Sequence, residues 1–154
     1  MHIPLTRAEM AKMMVTITAL IKERTNKLVS TGRTKKEQCS TFSDLNQANE
    51  KLQPFIIKAC ELGLMGLQAN GITLKTHFIP NETITIAEVA TILSRFLRGN
   101  KYQGSEQRRY HNHLLALQQI NFMPLNINPM NKERKTNVFE MLIKSITFIN
   151  TYSK

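Results

Sequence analysis

The sequence predicts an all-α fold assembled from repeated helix–loop–helix units with short extended loop segments, and three observations carry that expectation. The segment LTRAEMAKMM, residues 5–14, returns as ITIAEVATIL, residues 84–93, with its threonine, its glutamate and its apolar positions kept. HLLALQQINFM (113–123) overlays on IKACELGLM (57–65), placing Leu117 over Ala59, Ile120 over Leu62, Phe122 over Leu64 and Met123 over Met65. Apolar residues recur at helical spacing after both copies of the first motif and again near the end of the chain. Units of roughly 50–60 residues follow, with the chain starting partway through one. The boundaries read from this are a partial unit at 1–38, a second at 39–100 and a third at 101–154, all within one domain.

The first helix is expected from about Thr6 to Ile21. Thr6 and Glu9 form a T-x-x-E capping box, in which each side chain satisfies a free backbone N–H at the helix start. Met10, Met13, Met14 and Ile17 make its apolar stripe. Residues 24–40 are polar, with Gly32 and the run Arg33, Lys35, Lys36, and read as a solvated loop or frayed helix end. A turn at Phe42-Ser43-Asp44 precedes a second helix, about Leu52 to Leu62, which Gly63 is placed to end. Asp44 reads as a cap or turn residue. The glycine-rich stretch after it reads as a compact loop that Leu74, Phe78 and Ile79 pin to the core. A helix from Thr85 to Leu97 follows, with a second capping box in Thr85 and Glu88 and the stripe Val89, Ile92, Leu93, Phe96. A further helix begins near Tyr110. The last, about Asn137 to Ile149, has the stripe Phe139, Leu142, Ile143, Ile146.

Size and charge narrow the function. At 154 residues the chain can bury a core without metal or staples. No apolar run approaches the roughly 18 residues of a membrane span, and no signal peptide is visible at its start. The net charge is +10. Residues 1–41 carry 8 basic and 3 acidic groups, 42–98 carry 5 of each, and 99–154 carry 8 and 3. The basic flanks attract anions in general, whether polysaccharide, nucleic acid or phospholipid. Cys39 and Cys60 match no zinc spacing, which leaves a disulfide or two reduced core thiols.

Taken in order, Phe42-Ser43-Asp44, IIKACELGLMG (56–66), Phe78-Ile79-Pro80-Asn81 and ITIAEVATIL resemble the S-layer homology domain. YHNHLLALQQINFM and NPMNKERK are similar to its closing repeat, in the three-repeat form found in surface proteins of candidate-phyla bacteria. The resemblance implies a pseudo-threefold bundle of three repeats. It also implies a non-covalent anchor for an anionic, often pyruvylated, cell-wall polysaccharide at the cell surface, as part of a larger secreted protein. The family's TRAE arginine helps hold the acidic sugar, and only Arg7 carries over: Ile86 stands in its place in the second unit. In the third it is about Thr136, beside Arg134 and Lys135. The tryptophan common in the family is absent, as the chain has none. A surface location favours the Cys39–Cys60 disulfide.

Arg7 can also be read without the family. At the first helical position it sits where the macrodipole is positive, so the guanidinium and the free N–H groups together form an anion seat. The other reading is an arginine that is solvated or paired with a nearby carboxylate. The expected ligand contacts are therefore Arg7 with Thr6, and Arg134 with Lys135; the arginine replaced by Ile86 is expected to face outward. The T-x-x-E pairs read as structural caps. His111 and His113, two apart, point to different sides of a helix and cannot easily share a metal. Asp44 is the only aspartate, and no nucleophile elbow, phosphate loop or paired-carboxylate pattern occurs. No enzyme, cofactor or metal is expected. The second reading is a structural or protein-interaction domain, self-association included, that has lost glycan binding. A basic nucleic-acid binder ranks third, because no recognition helix or aromatic platform is present.

Overall fold

A computed structural model of the chain describes residues 3–25, 38–103 and 110–152. The described residues contain five α-helices and no strand: α1 (Arg7–Thr25), α2 (Gln53–Glu61), α3 (Ile86–Arg98), α4 (His111–Gln119) and α5 (Lys135–Tyr152). Two short 3-10 turns, Leu45–Gln47 and Gly99–Tyr102, complete the order. The charge run at Arg33, Lys35 and Lys36 lies outside the described residues.

Both capping boxes form. The Thr6 amide donates to Glu9 Oε2 at 2.9 Å and the Glu9 amide donates to Thr6 Oγ1 at 3.2 Å. Thr85 and Glu88 repeat the pair at 2.8 and 3.2 Å. α5 is started differently. Glu133 Oε1 accepts from the Arg134 amide and from Asn137 Nδ2, at 2.8 and 2.9 Å, in place of a box.

The remaining free N–H groups at three helix starts find carbonyls on a neighbouring loop, which is how a buried helix end avoids orphaned donors. Arg7 and Ala8 donate to Glu82 and Pro80, both at 3.0 Å; Ile86 and Ala87 donate to Asn131 and Pro129, both at 2.9 Å; Lys135 donates to Ile3 at 3.3 Å. Isolated antiparallel bridges mark the same three places: Thr6 with Thr83, Thr85 with Lys132, and Pro4 with Arg134. Between them, Ile84 donates to Leu5 and Glu133 to Ile84, so the three helix entries meet around buried Leu5, Ile84 and Glu133.

The ends of α2 and α4 also match. The Leu64 amide reaches back to the Ala59 carbonyl across Gly63, which has φ +74°. Phe122 reaches Leu117 across Asn121, at φ +60°. Both are Schellman stops, built on the two residue types that most readily take the left-handed conformation. The overlay of 113–123 on 57–65 is therefore repeated in backbone geometry.

α1 packs on α2, and α3 packs on α4. The stripes of α1 and α3 lie inside: Met10, Met14, Ile17, Val89, Ile92, Leu93 and Phe96 are buried and Met13 is half-buried. The stripe expected on α5 does so only in part: Leu142 is buried and Ile146 packs half-buried against the core, but Phe139 and Ile143 are exposed, and Val138, Met141, Ser145 and Ile149 complete the inward side. Two apolar rows run along this helix about one residue apart, and hydrophobic spacing alone cannot say which one meets the core.

The loop after α2 is held by Asp44, which makes no helix-cap bond. Its two carboxylate oxygens accept from the Phe78 and Ile79 amides, each at 2.8 Å, in a site where Asp44 is buried. Phe78 is fully buried and meets Phe42 edge to face at 5.4 Å. Ile79, expected to pin the loop, instead points outward, half exposed at φ +57°. Its backbone, not its side chain, is what the fold uses. Gly66, at φ +78°, lies under Phe42, where an added Cβ would come within 2.4 Å of the ring.

Cys39 and Cys60 stand at disulfide distance, with Cα atoms 5.8 Å apart and both side chains buried. The pair closes a loop of 21 residues. Cys39→Ser should therefore lower stability by about 3 kcal/mol in the chain-entropy model. Denaturation with and without reductant checks this: the parent should lose stability on reduction, and the variant should not respond.

Candidate ligand cavity

The α2–α3 loop, the start of α1 and one side of α3 enclose a cavity of about 440 Å³, to which Tyr110 and Met130 also contribute. That is the size of a small-ligand pocket. Three cations line it, Arg7, Lys75 and Arg95, with Glu88 as the carboxylate among the described lining residues. Its floor is apolar, from residues such as Leu64, Met65 and Ile92.

Arg7 is buried, and its surroundings explain how the fold tolerates a cation there. Its Nε donates to the Phe78 carbonyl at 2.6 Å, its Nη1 pairs with Glu88 Oε1, and its guanidinium lies 5.2 Å from the Phe78 ring centre. Of the two sequence readings, the carboxylate-paired one describes this geometry. Glu88 thus serves twice, with Oε2 in the capping box of α3 and Oε1 on Arg7.

The same arrangement recurs at α5. Lys135 Nζ meets Glu9 Oε1 at 2.8 Å while Glu9 Oε2 caps α1. Burial alone would raise the Glu9 carboxyl; the hydrogen bonds from Lys135 and Thr6 outweigh it and hold the group below its usual range. In both pairs, the first residue of one helix reaches the third residue of another. The positions equivalent to such a pair at the third entry are Ile86, first in α3, and Asn137, third in α5. Arginine and glutamate are replaced together there, one by an apolar side chain and the other by a neutral one. The expectation that position 86 faces outward is corrected: Ile86 is buried. Lys135, not Thr136, is the third counterpart of Arg7.

Arg95 donates to the carbonyls of Leu64 and Gln68 at 3.4 and 3.1 Å and to Gln103 Oε1 at 3.4 Å. Burial lowers its pKa to about 10, so it remains a cation at neutral pH. Gln103 Oε1 also lies 3.2 Å from His113 Nε2, and His113 Nδ1 lies 2.7 Å from Ser94 Oγ. The network is satisfied with His113 neutral, its proton on Nε2 and Ser94 donating to Nδ1. Burial, reinforced by the Arg95 charge, lowers the His113 pKa to about 4.

That shift has a sign. The unfolded histidine binds a proton below about 6.5, while the folded one refuses it until about 4, so stability falls as pH drops through this window. Between pH 6.5 and 5 the loss should be about 2 kcal/mol. His113→Gln should flatten the denaturation profile over that range; an unchanged slope would place the acid sensitivity elsewhere.

Of the residues named from sequence, Arg7 lines the cavity. Thr6 does not, and its hydroxyl is used in the cap. Arg134 is exposed and Lys135 is paired with Glu9; neither lines the cavity. Lys75 and Arg95 were not singled out. Arg95 had a signal: Glu88, Thr91 and Arg95 fall at i, i+3 and i+7, a polar row beside the apolar stripe of α3. Lys75 had none, because only the loop path brings it to the rim.

Among the described residues no cluster of three metal-ligating side chains occurs, and no helix is long and apolar enough to cross a membrane. Compared with protein-family models, with curated proteins and with solved structures, the chain has no match.

Proposed function

We propose that the chain is a non-catalytic cell-surface module that holds an anionic cell-wall polysaccharide, and that its helices form a pseudo-threefold bundle of repeats. One observation carries the ligand reading: the cavity lining has three cations against one carboxylate over an apolar floor. A sugar ring can lie on such a floor while its acid group meets the cations, and neutral sugars gain nothing from them. The threefold reading is supported by the three equivalent helix entries and by the two matching Schellman stops. The S-layer homology resemblance supplies the polymer class and the extracellular setting.

The test is retention on purified anionic cell-wall polysaccharide. Retention should fall with added salt, should be absent on a neutral glucan, and should drop about tenfold in Lys75→Glu, a reversal of charge worth about 1.4 kcal/mol. Lys75 is half-buried at the rim, so the variant should keep the parent fold. Equal retention of parent and variant, or none at low salt, would remove the reading.

The joint loss at Ile86 and Asn137 favours a second reading, a structural domain whose grooves have been filled. A protein partner captured without any glycan retention would decide for it.

A further inference from the structure

The outer face of α5 takes no part in the cavity. Phe139 and Ile143 on it are 61% and 56% exposed. They are the fifth and ninth residues of α5. The fifth residues of α1 and α3 are Ala11 and Ala90, both fully buried on helices that carry α2 and α4 against them. α5 meets α3 only lightly, and its row stays in contact with solvent.

We infer that this face is a self-association surface, on which α5 of a second copy of this chain packs antiparallel. The charges along this face suit that geometry. Glu140 and Lys144 are exposed along one edge of the Phe139–Ile143 row, one turn apart, and neither forms an ion pair or hydrogen bond among the described residues. A twofold axis across two antiparallel helices brings the same edge of each copy together. With the crossing near residue 142, Glu140 of one copy lies against Lys144 of the other, twice over. A parallel pair would put these edges on opposite sides. Phe139 and Ile143 then form the dry seam, with the ion pairs at its rim setting register and direction.

Sedimentation velocity over a range of concentrations reads the result. The parent chain should show a reversible monomer–dimer equilibrium. Phe139→Lys should weaken dimerisation at least about thirtyfold, as loss of a central aromatic anchor does. Because the side chain is exposed, the helical circular-dichroism signal should stay at the parent level. Glu140→Lys alone and Lys144→Glu alone should each weaken the dimer, and the double charge swap should restore it, since every cross-pair is opposite again. A parent that stays monomeric throughout, or a double swap no tighter than either single one, overturns the proposal. A monomeric parent would instead leave the face to a helix from a different polypeptide.

Discussion

Asp44→Ala should lower the stability of the chain by about 4 kcal/mol, the largest effect expected of any single polar substitution. Each oxygen of this buried carboxylate accepts one backbone N–H, from Phe78 and Ile79. Hydrogen bonds to charged groups contribute about 1.5–3 kcal/mol each, and removing the acceptor leaves the buried Phe78 donor without its partner. The backbone adds to the cost. Ile79 has φ +57°, a conformation a β-branched residue adopts only when its surroundings enforce it. Without Asp44 the loop should relax, and Phe78 would then leave its seat against Phe42. Asp44→Asn keeps one good acceptor and should lose about half as much. Urea denaturation measures both; a loss under 1 kcal/mol in the alanine variant would mean that the loop is held by something else.

Arg7→Met comes next, with an expected loss of about 3 kcal/mol. Breaking one side of a buried ion pair costs about 3–5 kcal/mol, and the low end applies because the Glu88 side chain is 34% exposed and water can reach it. The variant also loses the bond to the Phe78 carbonyl, so the loop that Asp44 holds from one side loosens from the other. Glu88 should keep its capping role, so Glu88→Gln in the Arg7→Met background should cost less than in the parent. Coupling of about 1–2 kcal/mol in that double-mutant cycle is the signature of the pair. Additive losses would show that Arg7 acts through the Phe78 carbonyl alone. The same logic predicts the converse at the third position. Ile86→Arg should destabilise by itself, because it puts an unpaired cation at a buried position, and Asn137→Glu, which restores the carboxylate at the equivalent third position of α5, should recover much of the loss.

α1 and α3 were legible in sequence because everything that defines them is local. A threonine three residues before a glutamate makes a cap wherever the chain goes, and a row at i, i+3, i+4, i+7 leaves only one side to bury. The stop after α2 was equally local, since Gly63 tolerates positive φ and most residues do not; Asn121, which does the same after α4, was seen only in the structure. α5 was misread for a physical reason. Phe139 and Ile143 keep helical spacing with Leu142 and Ile146 as faithfully as Val138, Met141 and Ile149 do, and which of them go inside depends on how the helix is rotated against the core. Lys135 escaped exact placement because Arg134 takes the cap position in place of a threonine, which shifts the apparent start by one residue.

The cavity was legible only in part. Arg7 was visible through its motif, but its partner Glu88 lies 81 residues away and was already explained as a cap. Asp44 is legible as a turn residue, but its bonds are not, since the amides it holds are 34 and 35 residues downstream.

By itself, then, the sequence determined that the chain is helical, where α1 and α3 begin, where α2 stops, and that the chain carries a strong positive charge, because caps, stops and periodicity act over a single turn. Tertiary structure alone decided which cation meets which carboxylate, which side of α5 stays wet, and that Lys75 and Arg95 share one cavity. Those outcomes depend on distances between segments far apart in the chain, and no local spacing encodes them.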